Sequence, residues 1–297
     1  MRFEKHHIAL SGLALLAASP GFAATPTRYE GVCEVSAAAV LDERHFVVAS
    51  DETETLTIYE RDTATPIARH ALAGVTDIEA AARIGDTIYW LTSHSLNKDG
   101  EDKAKRKQIR ATRILSPTRL VDVPTPAGDL RATLADVLGR ASDAKFPDEL
   151  DIEGLASTPS GRLFIGLRSP LDSNESAQII EIADPLAASG APAVASKPLP
   201  LGRRGIRSIE RIGSGESKYM IVAGPVVDSG GEAALFSWDG AGTPVALSMS
   251  LFEGPVPEAL IAWGDGSLQL LGDNGDACSD ELEGPRWFPS MTIGNVL

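Results

Sequence analysis

One hairpin, written five times, constrains this chain more than any other feature of it. In its clearest copy, Asp151-Ile152-Glu153-Gly154-Leu155-Ala156-Ser157 opens a short apolar strand and Thr158-Pro159-Ser160-Gly161 turns the chain. Leu163-Phe164-Ile165-Gly166-Leu167-Arg168 then returns as a buried strand that ends in a charge. Fifteen residues separate Glu153 from Arg168, and the same offset joins Glu79 to His94, Glu210 to Pro225 and Glu258 to Asp273. With serine in the acid's place it also joins Ser36 to Asp51. Phe46-Val47-Val48, Tyr89-Trp90-Leu91, Tyr219-Met220-Ile221-Val222 and Leu268-Gln269-Leu270-Leu271 fall where Leu163-Phe164-Ile165 falls. Gly85-Asp86, Gly213-Ser214-Gly215 and Gly264-Asp265-Gly266 mark the turns. A recurrence of this kind means units that cannot bury their apolar faces alone and stack on their neighbours.

Each hairpin is followed by two less apolar strands. Thr55-Leu56-Thr57-Ile58-Tyr59, for example, alternates as a half-exposed strand should. The steps between the leading residues are 43, 74, 57 and 48. The long one contains Asp129–Ala141, where Leu130, Leu134, Val137 and Leu138 recur at helical spacing behind a capping Asp129. Another long stretch, Ser93–Lys107, is a charged insert within the second unit. Four-stranded antiparallel units of this length arranged about a centre are propeller blades. The chain is therefore expected to be all-β, a five-bladed propeller with one inserted helix near 129–141. Six blades are the alternative, with a degenerate blade in the helical region. The fifth unit ends one strand short, and residues 25–33 are expected to supply it and close the ring.

Arg2 and Lys5 precede the apolar run Ile8–Ala18, and Gly21-Phe22-Ala23 offers small residues for cleavage. Residues 1–23 therefore read as a secretory signal, with 24–297 as a single propeller domain and a periplasmic or secreted location. Nothing beyond the signal reads as a membrane span, and a monomer is expected. Removing the signal takes away Arg2, Lys5 and Glu4, leaving 25 basic against 40 acidic side chains, a net charge of −15. Such a surface is a poor partner for nucleic acid, whose binding needs concentrated positive charge. In an oxidising compartment Cys33 and Cys278 are expected to form a disulfide rather than two thiols. A link closing so long a loop stabilises a fold by roughly 4–5 kcal/mol, less any strain.

Four stretches carry a family resemblance: Val47-Val48-Ala49-Ser50-Asp51-Glu52-Thr53, Leu91-Thr92-Ser93-His94-Ser95 with Lys98-Asp99-Gly100, Asp151–Leu155, and Gly205-Ile206-Arg207-Ser208-Ile209-Glu210-Arg211. Together they resemble the bacterial family catalogued as domain of unknown function 3616. The resemblance implies a secreted or periplasmic propeller akin to phytase-like and lactonase-like ones. It assigns no activity and carries over no catalytic residue.

The innermost strand of each blade lines a propeller's central channel. On the constant offset, Ser36, Glu79, Glu153, Glu210 and Glu258 ring the channel mouth, with Asp51, His94, Arg168, Pro225 and Asp273 beside them. Glu34, Asp77 and Asp151 share the strand face two residues earlier. Glutamates converging on one channel must be protonated, hydrated, paired or bound to a metal. Arg168 and Arg207 are the pairing candidates. A hard cation such as Ca²⁺, held by Glu79, Glu153, Glu210 and Glu258, is the other possibility. Lys103, Lys105, Arg106 and Lys107 read as a solvated, mobile segment.

Two functions are then open. In the first, a metal-assisted hydrolase of phosphate or carboxylic esters, Ca²⁺ activates water, His94 moves protons and Arg168 binds developing negative charge. In the second, the same face of a non-catalytic propeller binds a ligand or partner. No Gly-x-Ser-x-Gly, His-Glu-x-x-His or phosphate-binding glycine loop strengthens the enzyme case.

Overall fold

Apolar runs bounded by glycine turns become strands buried on both faces, and the second strand of every blade is of this kind. The computed structural model describes residues 24–125, 128–186, 192–213, 218–227, 231–247, 257–274 and 286–294. The chain enters with β1 (Ala24–Glu30). The first blade is β2 (Val35–Val40), β3 (His45–Ser50), β4 (Thr55–Glu60) and β5 (Ala68–Ala71). The second is β6 (Ile78–Ile84), β7 (Thr87–Thr92), β8 (Ile109–Ser116) and β9 (Arg119–Val123). Helices α1 (Arg131–Val137) and α2 (Phe146–Glu149) follow. The third blade is β10 (Asp151–Ser157), β11 (Leu163–Ser169), β12 (Ala177–Ile182) and β13 (Ala193–Leu199). The fourth is β14 (Gly205–Arg211), β15 (Tyr219–Gly224), β16 (Ala234–Trp238) and β17 (Val245–Ala246). The last is β18 (Pro257–Ala262), β19 (Leu268–Gly272) and β20 (Trp287–Ile293), with β1 as its outermost strand. All pairings are antiparallel, so the chain is a five-bladed propeller.

Closure is made as the missing strand required. β1 pairs with β20 from Ala24 opposite Ile293 to Glu30 opposite Trp287. Tyr29, with no exposed surface, stacks on Phe288 at 5.3 Å, and its hydroxyl accepts hydrogen bonds from Asp62 N (3.0 Å) and Gln269 Nε2 (3.2 Å). A buried phenol is stable only with such partners.

The core is not one cluster. Five apolar clusters lie between successive blades, each built from two of them, as faces of twisted sheets must be covered. Leu130, Leu134 and Phe146 join the cluster between the second and third blades, so the helical insert is packed and not a loose loop. The helix expected over 129–141 is shorter, Arg131–Val137, and Asp129 caps from just outside it by accepting from Arg131 N at 3.0 Å. The Ser93–Lys107 insert is tied down as well, through Lys105 to Glu54 (2.6 Å) and Asp102 to Arg131 (3.2 Å). Among the described residues no helix is long and apolar enough to cross a membrane. The signal segment and Cys278 lie outside the described residues.

Candidate functional site at the channel mouth

The inner strands β2, β6, β10, β14 and β18 contact one another in ring order. Each carries a β-bulge near its start, where one residue has no partner on the second strand. The extra residue of a bulge is re-aimed by the local twist. The bulged residues are Ser36, Glu79, Glu153, Arg207 and Glu258. The fourth blade thus presents Arg207 where a constant offset placed Glu210. Glu210 lies three residues further along, opposite Met220, and faces the channel below the mouth.

The cause is turn length. The first, third and fifth blades turn over five residues between equivalent strand positions, whereas the second turns tightly at Gly85-Asp86 and the fourth needs the longer 212–218 stretch. By register the second strands therefore reach the mouth at Asp51, Ser93, Arg168, Gly224 and Asp273. His94 and Pro225 are each displaced by one residue. Pro225 contributes only its carbonyl, which accepts from Arg168 Nε at 3.2 Å. His94 adopts a left-handed backbone (φ 57°) and is wholly buried. Its Nδ1 lies 3.0 Å from the Thr92 carbonyl, and its electrostatic neighbours are Asp129 and Arg131 of the helical insert. Burial holds the imidazole below its usual pKa, so it is neutral. The structure does not bring His94 together with Arg168.

On one side of the mouth the charges are matched. Arg168 Nη1 contacts Glu153 Oε1 at 3.0 Å and Asp151 Oδ2 at 3.5 Å. Arg207 Nε lies 3.1 Å from Glu153 Oε2 but donates to Glu258 Oε2 at 2.9 Å, leaving Glu153 Oε2 without a hydrogen bond. Arg207 Nη2 donates to the other Glu258 oxygen. These pairs cross from the third blade to the fifth and hold the blades in register.

The other side has a surplus of acid. Asp77, itself left-handed (φ 64°), accepts from Arg106 and Ser93. Ser36 donates to the Ile78 carbonyl. Glu79 makes no hydrogen bond or ion pair among the described residues, and burial together with Asp77, Glu153 and Asp51 drives its pKa well above the carboxylate range. Asp51 keeps Oδ1 buried without a hydrogen bond, and burial plus Asp77, Asp273 and Glu52 raise it to about 6. Glu34 is raised to about 8 by burial and by Asp51 and Glu52, the latter its hydrogen-bond partner. Below the mouth, burial raises Glu210 to about 8. The cavity among Ser36, Glu79, Glu153 and Glu210 measures about 10 Å³, room for at most one water.

Glu79, Glu153, Glu210 and Glu258 therefore do not form a cation cage. Two of them are engaged by arginine, one sits deeper, and the space between them is too small for a hydrated ion. Among the described residues no group of three or more His, Cys, Asp or Glu side chains is placed to hold a metal. Sequence reasoning also missed Arg106, assigned to a solvated segment. Its pairing with Asp77 is a tertiary contact that no local pattern announces.

Fold and site define a five-bladed propeller whose channel is plugged by charge, half paired and half acidic. Residues 144–266 match the family described as protein of unknown function (DUF3616), a stretch that contains Asp151–Leu155 and Gly205–Arg211. The family resemblance read from those residues holds. No curated protein matches the sequence. Among solved structures, glutaminyl cyclase from Myxococcus xanthus is similar at 14% identity and TM-score 0.49, over 91% of this chain and 97% of that one. The PQQ-bound aldose sugar dehydrogenase from Streptomyces coelicolor is similar at 14% identity and TM-score 0.44, over 92% and 100%. The gluconolactonase XC5397 from Xanthomonas campestris is similar at 12% identity and TM-score 0.42, over 82% and 71%. Nothing about the chemistry of this chain follows from likeness at that level.

Proposed function

We propose that this chain is a non-catalytic binding propeller whose mouth receives a positively charged ligand, a cation or an amine. The observation that carries the reading is Asp51. Its buried Oδ1 has no hydrogen bond and sits among Asp77, Asp273 and Glu52, while Arg106, Arg168 and Arg207 are already committed to other carboxylates. A buried polar atom without a partner is costly, and a cation removes that cost together with the repulsion. Binding favours the ionised acids, so affinity rises with pH as Asp51 and Glu34 titrate near 6 and 8. Titrating Ca²⁺, Mg²⁺ and methylammonium against the mature protein by calorimetry at pH 5.5 and 8 is the test. Tighter binding of one of them at pH 8, abolished by Asp51→Asn, is expected; no binding of any at either pH refutes the reading.

One observation favours the hydrolase reading: Asp51 and Asp151 are both raised to about 6, acids that exchange protons near neutrality. In that reading Arg168 binds developing negative charge, and proton transfer falls to those aspartates because His94 is sealed from the cavity. A Ca²⁺ ion would have to be held by the Asp51 side of the mouth and not by the glutamate ring. Aryl phosphates, lactones and carboxylic esters, assayed with EDTA and with added Ca²⁺, separate the two readings. Export, removal of residues 1–23 and a monomeric state belong to the same proposal; N-terminal sequencing and the sedimentation of the mature protein check them.

A further inference from the structure

A second cavity opens where the last blade meets the first. The chain leaves β1, crosses the seam through Gly31, Val32 and Cys33, and enters β2. Under this crossing lies a pocket of about 190 Å³. Glu34 and Glu52 line it at the inner end of the first blade, and Arg69 of β5 lines it at the outer end. Arg286, just before β20, is a second basic residue in its wall, and Ser50, Thr53 and Thr55 complete part of that wall. Inner and outer strands of one blade are three strand spacings apart, roughly 14 Å at ~4.8 Å each. Glu34 and Glu52 at one end and Arg69 at the other thus put opposite charges on one cavity.

Neither end is used up by the fold. Among the described residues neither Glu34 nor Glu52 is ion-paired to a basic side chain. Burial, with Asp51 and Glu52 beside it, raises Glu34 to about 8, so Glu34 holds a proton at neutral pH. The Arg69 guanidinium makes no ion pair or hydrogen bond among the described residues. The cavity has room for roughly six water-sized groups at ~30 Å³ each. That size is too small for a nucleotide and accommodates a molecule of the dimensions of alanine or serine. A simple amine satisfies one end only, and a simple carboxylate meets Glu34 and Glu52 with the wrong sign.

We propose that this pocket binds a small zwitterion of the α-amino-acid class, with its ammonium toward Glu34 and Glu52 and its carboxylate toward Arg69. This rests on the reading of the acidic mouth as a site for positive charge and names the ligand. Entry of the ammonium replaces the proton on Glu34, so binding releases protons to solvent. The carboxylate accepts from the guanidinium, and the wall hydroxyls are within the pocket to complete its hydrogen bonds.

The test is calorimetry on the full mature chain at pH 7 with alanine, alanine methyl ester, methylammonium and acetate, each in two buffers of different ionisation enthalpy. Alanine binding at least tenfold more tightly than its ester or methylammonium, with net proton release and no acetate binding, is expected. Arg69→Ala should then lower alanine affinity tenfold or more while leaving methylammonium unaffected, and Arg69→Lys should restore part of it. Because Arg69 is exposed on an outermost strand, thermal melting of both variants should match the parent. Methylammonium or the ester binding as well as alanine overturns the zwitterion and leaves the cationic mouth standing, as does alanine affinity indifferent to Arg69. If neither alanine nor any cation binds, both readings fall.

Discussion

The two halves of the channel mouth solve the same electrostatic problem in opposite ways. From the third blade to the fifth, two arginines are shared among Asp151, Glu153 and Glu258, and the pairs run from blade to blade. Across the seam from the fifth blade to the second, Glu34, Asp51, Glu52 and Glu79 crowd together, and Arg106 at the mouth is spent on Asp77. The first half is held by its charges; the second must be held in spite of them. A cluster that repels itself persists only where covalent structure or packing over-determines it, and sites arranged that way are where ligands displace protons.

The sharpest way to break that contrast is to remove what holds the acidic half. Cys33, 6% exposed, precedes Glu34, and its carbonyl accepts from Asn274 N at 3.4 Å. The last blade's loop therefore begins beside Cys33, four residues before Cys278, and no described cysteine is a free thiol. We predict a Cys33–Cys278 link that pins the seam. Thiol titration of the denatured, unreduced protein should find none, and Cys33→Ser should lower unfolding free energy by roughly 4–5 kcal/mol in guanidinium. Two titratable thiols per chain would mean the seam is held by β1 and Tyr29 without a covalent bond.

Next in size is the paired half. Replacing Arg207 by Gln takes the ion-pair partner from the largely buried Glu258 and leaves Glu153 with Arg168. Breaking a buried pair from one side costs about 3–5 kcal/mol. Glu79→Gln, an uncharged isostere of the protonated acid that burial favours at that position, removes no partner and should be close to neutral. Equal losses in the two variants, measured by denaturant unfolding, would erase the distinction between the halves.

How much of this was legible in the sequence depended on whether the signal was local. The five hairpins were, because apolar runs closed by glycine turns need no tertiary information. So was the gap left for β1, since a blade one strand short has to be completed. Ser36, Glu153 and Glu258 were correctly spaced because their hairpins share a five-residue turn. Glu79 also holds its ring place, yet His94 was assigned the position of Ser93 because that turn is one residue shorter. Glu210 was taken for Arg207 because the fourth turn is two residues longer. An arginine and an acid within four residues cannot be told apart by counting; the bulge decides which one turns inward. Arg106 was illegible for a different reason, since the insert that carries it folds back across the blade top only in three dimensions.

The smallest effect, and the most diagnostic, is the slope of stability with pH. Glu210 and Glu34 stand at about 8 and Asp51 at about 6 in the folded chain. Unfolded, carboxyls of these types titrate near 4. Between those values the folded state binds more protons than the unfolded one, so stability falls as pH rises from about 4 through 8 and levels off above. Each such group contributes a slope of at most about 1.4 kcal/mol per pH unit within its window. Glu210 is the cleanest reporter, because burial alone raises it and its one charged neighbour, Arg211, works the other way. Glu210→Gln should flatten the profile between pH 5 and 8 without touching the mouth, whereas Asp51→Asn should flatten it only below about pH 6. A parent profile that rises from pH 5 to 8 would show that these acids are ionised in the folded chain, and that the acidic half is paired after all.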